Sequence, residues 1–544
     1  MSAKKITLAI ETKRTSCEES FDWCLRRAEA NILNREYEQA ANWCQIAGKL
    51  TETFVYKYFS NERLEKALNT IAENISPARI YEKNVVEKKR WLHVLTQAYQ
   101  TGGHTALCRR WIEIDSSGDE HSLILTSQCE ADSDPKLLEA VRIGGGNVIF
   151  LDTTENLTHR ALTLKDHSAT YDVIVLHIHM WDPIAAIAFG TAGGPPVLIV
   201  NHADHLYWMG VSVADLILNI RPSGEQLCEL HRGCDRLGKL SIPLPIPPLL
   251  SQDDEGMREK RSVREDLDIP SHAIIFLTIG SSYKFTPMAE LSFFEASRKL
   301  LLAVPNSYLI AIGPSLKDDQ WAVLKTETEG RVLAIGRRQD LSRYFEAADI
   351  YLEGFPFGSL TALLEAALAG LPIVLAPAEC PLPFRSDDFA LTMAAPMNMD
   401  AYVAAAVKLA EDAEYRDTTA RSLRQATVEW HCGAGWNAKL RVLRASVTHG
   451  LEHRIWPVSK ILALPEAPLR YWTIFSENRT KADDPFRFVL RQAIFAGLAP
   501  RPDFYLFLAM KNASTILRAS LIMSAAFLLT ALPPKFRRRL FSSM

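Results

Sequence analysis

Two series of short apolar runs, each alternating with helical stretches, constrain this chain more than any other feature. The first comprises residues 91–96, 122–127, 147–152, 172–179, 197–204 and 216–220, and the second 273–281, 307–313, 331–336, 350–354 and 371–377. Runs rich in Val, Ile and Leu that lack polar alternation predict strands buried on both faces. Strands of that kind, separated by helices, form parallel sheets. Pro243 to Pro248, with sequence PLPIPP, separates the two series as a stiff linker that cannot enter a sheet. The charged run 253–270 beyond it reads as a solvated helix, and a further helix is predicted over 399–411. Two doubly wound α/β domains hinged at a proline linker place their ligands outside the strand C-termini, in the cleft between the domains.

The remaining segments carry helical signals. FDWCLRRAEANIL and EYEQAANWCQIAGKL, joined at Asn34 and Arg35, read as a helix pair. It resembles one tetratricopeptide-like unit, but a single copy favours a plain helical cap. The expected organisation is a helical segment 1–85, a first α/β domain 86–248, a second α/β domain 249–450 and a helical extension 451–544. Leu521 to Leu532 is too short an apolar stretch to span a bilayer. With Lys535, Arg537, Arg538 and Arg539 beyond it, this stretch reads either as a docked core helix or as a peripheral contact with an anionic membrane surface. A net charge of −3 gives no footprint for nucleic acid. Nine cysteines without CxxC pairs argue against a disulfide framework or zinc ribbon. The expected location is cytoplasmic, at most peripheral at the inner membrane face.

Candidate site residues fall at strand ends. In IYLEGFPFGSLTALLEAALAGLPIVLAP (350–377) a strand runs through a Gly/Pro turn into a helix. Gly358, Ser359 and Thr361 then sit where unpaired N–H groups and the helix dipole favour an anion. Glu365 lies one turn further on. The end of the first strand of this series, Gly280 to Lys284, offers Ser281 and a lysine able to reach a phosphate, and Gly336 to Asp340 offers Arg337. Asp340 reads equally as a helix cap. In the first domain, Asn201-His202-Ala203-Asp204-His205 joins two imidazoles and a carboxylate, a pattern suited to a general base with a carboxylate orienting it. A metal on these three lacks the helical HExxH spacing and is not expected. His177 and His179, two apart on one strand, line the same cleft or are packed. Gly102, Gly103 and His104 follow the first strand and let the backbone approach a ligand. They do not make a GxGxxG dinucleotide motif.

These residues carry a resemblance. TGGHT after the first strand, SSYKFTP and GFPFGSLTALLEAALAGLPIV are similar to GT-B-fold glycosyltransferases over roughly residues 90 to 450. In motif style they look most like the O-GlcNAc transferase type and the bacterial adhesin N-glycosyltransferases, with a broader likeness to the sucrose-synthase-like class. The resemblance implies that a nucleotide-sugar is held by the second domain, its diphosphate on Lys284, Gly358, Ser359 and Thr361 and its ribose on Glu365. It implies an acceptor glycan, lipid or protein entering from the first domain, transfer of a hexosyl or N-acetylhexosaminyl group, and no cofactor beyond the donor. The retaining sucrose-synthase-like enzymes carry two glutamates with seven residues between them. Here Glu353 and Glu365 have eleven between, and Phe357 occupies the matching position, so Glu353 is left out of the site. The alternatives are a sugar-nucleotide epimerase of the same fold and a non-catalytic binding or scaffold protein.

Overall fold

The structure is a computed structural model. It describes residues 3–76, 87–100, 103–245, 262–288, 291–449, 451–458, 461–466, 468–469, 471–473 and 484–498. Gly102, residues 246–261 with the end of the proline linker, and the basic C-terminal stretch 521–539 lie outside them. No helix among the described residues is long and apolar enough to cross a membrane.

The first series forms a parallel sheet of seven strands: β1 (Arg90–Leu95), β2 (Glu120–Leu125), β3 (Val148–Phe150), β4 (Val173–His177), β5 (Val197–Asn201), β6 (Leu216–Asn219) and β7 (Leu237–Lys239). Their order is β3-β2-β1-β4-β5-β6-β7. The second series forms five parallel strands, β8 (Ile274–Ile279), β9 (Ser307–Ile312), β10 (Val332–Gly336), β11 (Ile350–Leu352) and β12 (Ile373–Val374), in the order β10-β9-β8-β11-β12. In each sheet the chain winds outward on one side of its first strand and then crosses to the other. The crevices at the C-terminal ends of β1/β4 and β8/β11 are therefore the switch points where the connecting loops part. The expected helix at 399–411 is Met399–Glu411, started by the Asn398 side chain. β7 lies outside the predicted runs because its sequence, LGK, has no apolar stretch to reveal it.

The two units are sewn together beside the linker. Leu244 N–H donates to the carbonyl of His431, and the His431 and Trp436 rings bond the carbonyls of Ile242 and Ser241. The helix Gly433–His449 crosses back onto the first unit, where Asn437 bonds Ser116 and Ile114 and Arg444 pairs with Asp119 at 2.8 Å.

Helices α1 (Ala3–Leu33), α2 (Tyr37–Thr53) and α3 (Glu62–Ile75) pack against the first unit. The helix Pro485–Phe495, from the far end of the chain, packs on α1 and α2 through Trp23–Phe486 and Phe54–Phe488 ring contacts. Carboxylates tie this layer down. Glu38 of α2 accepts the N–H groups of Leu157 and Thr158 at the start of the helix Leu157–Ser168. Glu65 of α3, wholly buried, accepts from Gly210 N–H, Ser212 N–H and the Ser212 hydroxyl at 2.7–2.9 Å. Burial pushes the Glu65 carboxyl up, and those donors offset part of the penalty. The contact fixes the loop after β5, which carries His202 to His205.

Candidate functional site

A cleft of about 470 Å³ lies between the two units, lined from the ends of β5 and β6 on one side and from the ends of β8 and β11, the second sheet's switch point, on the other. His202, Asp204, His205, Lys284, Gly358, Ser359, Thr361 and Glu365 all line it.

The wall from the second unit is built on a buried strut. Glu353 at the end of β11 accepts from the N–H groups of Ala376 and Ser386, both at 2.7 Å, while its own carbonyl takes the Tyr402 hydroxyl. Burial raises the Glu353 carboxyl, and its role is to hold the 376–386 loop against the turn. Gly358 sits in that joint. A Cβ there would lie 2.3 Å from Glu353 Oε1 and 2.8 Å from Ser386 N, so only glycine fits without a shift. Ser359 then opens the helix Leu360–Leu368, and Leu360, Thr361 and Ala362 of its first turn line the cleft. First-turn N–H groups have no partner within a helix, so the dipole's positive end faces the cleft. Lys284, on the short 3-10 turn Ser282–Phe285 after β8, donates to the Gly358 carbonyl at 2.7 Å and the Ser359 hydroxyl at 2.9 Å. Burial first, and then the nearby Arg221 guanidinium, lower its ammonium to about 8 against the pull of Glu353.

The wall from the first unit follows β5 and β6. His202 Nδ1 lies 3.2 Å from the Val200 carbonyl, which fixes the proton on Nδ1 and leaves Nε2 as the basic nitrogen. Burial, with His104, His177 and His179 nearby, holds this imidazole well below its ordinary value and therefore neutral. Asp204 is differently engaged from the reading that made it the orienter of His205. Arg221 grips it with Nε and, at 2.5 Å, with Nη2, whereas His205 Nδ1 is 3.4 Å away. A guanidinium fork matches both carboxylate oxygens, so the histidine is left with the longer contact. Burial works against the Asp204 anion, but Arg221 outweighs it and holds the carboxyl far below the usual range.

Two contacts cross the cleft. Arg110 donates to Glu365 at 2.9 Å, and Asp387 of the second unit accepts Ser223 N–H and the Ser223 hydroxyl, each at 2.7 Å, at the start of the helix Pro222–His231. Arg221 is 3.8 Å from the same Asp387. Arg221, Asp387 and the lining residue Phe384 are absent from the sequence reading. The signal available for Arg221 was its place directly after an apolar strand and before a helix-opening proline.

Other candidates lie elsewhere. Arg337 is exposed at the end of β10, an outermost strand separated from β11 by two others, and Asp340 there caps Ser342. Ser281 lends its carbonyl to Lys284 N–H and does not line the cleft. His104 is near but outside the lining, its ring stacked on His202 at 5.3 Å, and Gly103 is exposed at the same helix start. His177 is packed. It bonds His93 at 3.0 Å, and the chain continues through His121 to Asp115. Among the described residues, His93, Cys108 and His177 bring potential ligand atoms within 4.8 Å of one another. His93 and His177 belong to the buried hydrogen-bonded chain, and the group does not include His202, Asp204 or His205.

No family model and no curated protein matches the chain. Among solved structures, a glycosyltransferase from Rickettsia africae is similar with a TM-score of 0.52 and 11% identity, covering 67% of this chain and 100% of its own. Anabaena HepE, solved with UDP and glucose, gives 0.48 and 15% over 66% of this chain and 100% of its own. A Thermobaculum terrenum O-GlcNAc transferase gives 0.46 and 15% over 86% of each chain. At these identities the likeness concerns architecture, and the Rickettsia match carries it: two parallel sheets facing across a cleft, the GT-B fold, is the fold of this chain.

Proposed function

We propose that the protein is a glycosyltransferase that uses a nucleotide-diphosphate sugar, with the interdomain cleft as its active site. The observation that carries the reading is the convergence of the Lys284 ammonium and a helix N-terminus on one wall, with a neutral imidazole on the facing wall. In this reading the donor diphosphate lies over Gly358, Ser359 and Thr361 beside Lys284. Glu365 takes the ribose hydroxyls, and the acceptor approaches along the first unit.

The reaction breaks the bond between the anomeric carbon and a phosphate oxygen and forms one between that carbon and the acceptor oxygen or nitrogen. The acceptor proton passes to His202 Nε2. The electron pair leaves on the diphosphate, whose charge is met by preorganised N–H groups and the lysine. Hexosyl or N-acetylhexosaminyl transfer to a glycan, lipid or protein acceptor is compatible with this arrangement.

Two observations weigh against the alternatives. An epimerase needs free acidic groups on both sides of the sugar, and the lining carboxylates Asp204 and Glu365 are each held by a guanidinium. For a scaffold, a lysine whose ammonium is destabilised at the floor of a cleft has no use, whereas such groups cluster at functional sites. A calorimetric screen of UDP- and GDP-sugars is the test. Saturable binding of one donor is the expected result, and no nucleotide binding under any condition leaves only the scaffold reading.

A further inference from the structure

Beyond the lining of the cleft, on the first-unit side, a run of rings continues outward from His202. His104 stacks on His202 at 5.3 Å and meets His179 edge-on at 5.4 Å. Tyr99 stacks on His179 at 5.7 Å, and Trp181 meets His179 edge-on at 5.4 Å. Lys49, from α2 of the helical layer, sits over the Trp181 ring at 4.8 Å. These side chains come from the loops after β1, β4 and β5 and from α2. They form one shelf, with Tyr99 42% exposed and the others partly exposed. Gly48 makes the contribution of α2 possible, since a Cβ there would lie 2.9 Å from Trp181 Cα.

The sequence singled out His104 and His179, yet nothing in the donor chemistry uses them. Resting on the glycosyltransferase reading, we infer that the shelf is the acceptor subsite and that the group receiving the transferred sugar is itself a pyranose. Aromatic faces attract the weakly positive C–H face of a pyranose ring, and the ring edges hold polar groups at the height of its hydroxyls. His104 donates from Nε2 to the Gln97 carbonyl and His202 from Nδ1 to the Val200 carbonyl, so each keeps its other nitrogen as an acceptor for a sugar hydroxyl. Burial keeps them uncharged, with His179 lowered to about 4 and His104 also lowered. A neutral, hydrogen-bonding, ring-faced surface complements an uncharged polyol. A phosphorylated lipid headgroup calls instead for a cluster of cations, and of the ring-contacting groups on this shelf only Lys49 is one. A peptide acceptor held by main-chain pairing would need an open sheet edge, and the shelf lies at the ends of the inner strands β1, β4 and β5.

Saturation-transfer NMR in the presence of UDP tests this with three probes: a panel of methyl hexopyranosides and N-acetylhexosaminides, a pool of Ser-, Thr- and Asn-containing peptides, and a polyprenyl phosphate in micelles. The expected result is transfer to the C–H face protons of at least one glycoside. Tyr99→Ala, an exposed change that leaves the fold intact, should weaken that glycoside roughly 3- to 10-fold. Trp181→Phe, which keeps a ring against α2, should weaken it less. Binding of the peptides or the polyprenyl phosphate in place of every glycoside overturns the inference. So does glycoside binding indifferent to Tyr99→Ala, or UDP bound with no glycoside detected. A parallel calorimetric titration with UDP reports on the donor site separately, so failure of the donor reading is distinguishable from failure of the shelf.

Discussion

On the glycosyltransferase reading, the two walls of the cleft would meet one reaction with different materials. The second-unit wall uses backbone: a glycine turn, the start of a helix and one lysine, all braced by the buried Glu353. The first-unit wall uses side chains: neutral imidazoles, a guanidinium–carboxylate pair and rings, part of it borrowed from a helical layer outside the sheet. Backbone N–H groups recognise a diphosphate whatever sugar it carries, so the donor wall is compact and general. Recognition of a particular acceptor needs shape and hydrogen bonds specific to it, and that wall is gathered from many loops.

Substitutions on the two sides should therefore separate affinity from turnover. The largest effect is expected at His202. His202→Gln removes the nitrogen that would take the acceptor proton in the proposed reaction, and turnover should fall about 10²- to 10⁴-fold with donor affinity retained, as read by steady-state kinetics beside calorimetry. A comparable loss of donor binding would move His202 to the other wall's function.

On the donor wall, Gly358→Ala forces a methyl against Glu353 and the Ser386 backbone. It should destabilise the protein by about 1–3 kcal/mol and weaken donor binding together, measurable by denaturant unfolding and calorimetry.

The pH dependence follows from Lys284. Its ammonium is present below about 8 in the free protein and is lost as pH rises through that value. A bound diphosphate favours the charged form, so donor affinity should hold below about 8 and fall by roughly tenfold per pH unit above it. A flat profile between pH 7 and 10 would remove the ammonium from the donor site.

The smallest effect belongs to the pair that joins the walls. Arg110→Ala frees Glu365 from a partly exposed ion pair, so stability should change by at most about 1 kcal/mol. Donor affinity should be unchanged or a few-fold tighter, because the ribose no longer competes with Arg110. Weaker donor binding would mean that Arg110 touches the donor itself.

The same division governs what could be read in the sequence. Strands buried on both faces announce themselves as apolar runs, and the helix Met399–Glu411 follows from its period and cap. The contiguous segments Gly358 to Glu365 and Ser281 to Lys284 predict local geometry, because a strand, a small-residue turn and a helix start are neighbours in the chain. What depends on strand order or distant pairing was not legible. Arg337 looked equivalent to Lys284 because both follow strands, but β10 is the outer strand and β8 is central. Asp204 looked like the partner of its neighbour His205, yet its bidentate partner, Arg221, is 17 residues away. The packing of Pro485–Phe495 on α1 and α2 joins the two ends of the chain, which no periodicity reveals.

On the proposed reading, Lys284 is held at a cost to the fold in order to bind a diphosphate. Its folded-state ammonium is lowered from 10.5 to about 8, so the charge destabilises the native state below about 8 and that penalty fades as pH rises toward 10.5. Lys284→Met keeps the stem and removes the charge. Titration of the bound UDP- or GDP-sugar into this variant at pH 7, beside its thermal unfolding, should show affinity weakened about 10- to 100-fold with a melting temperature equal to or above that of the parent. Unchanged affinity, or a lowered melting temperature with donor binding intact, would contradict that role for Lys284.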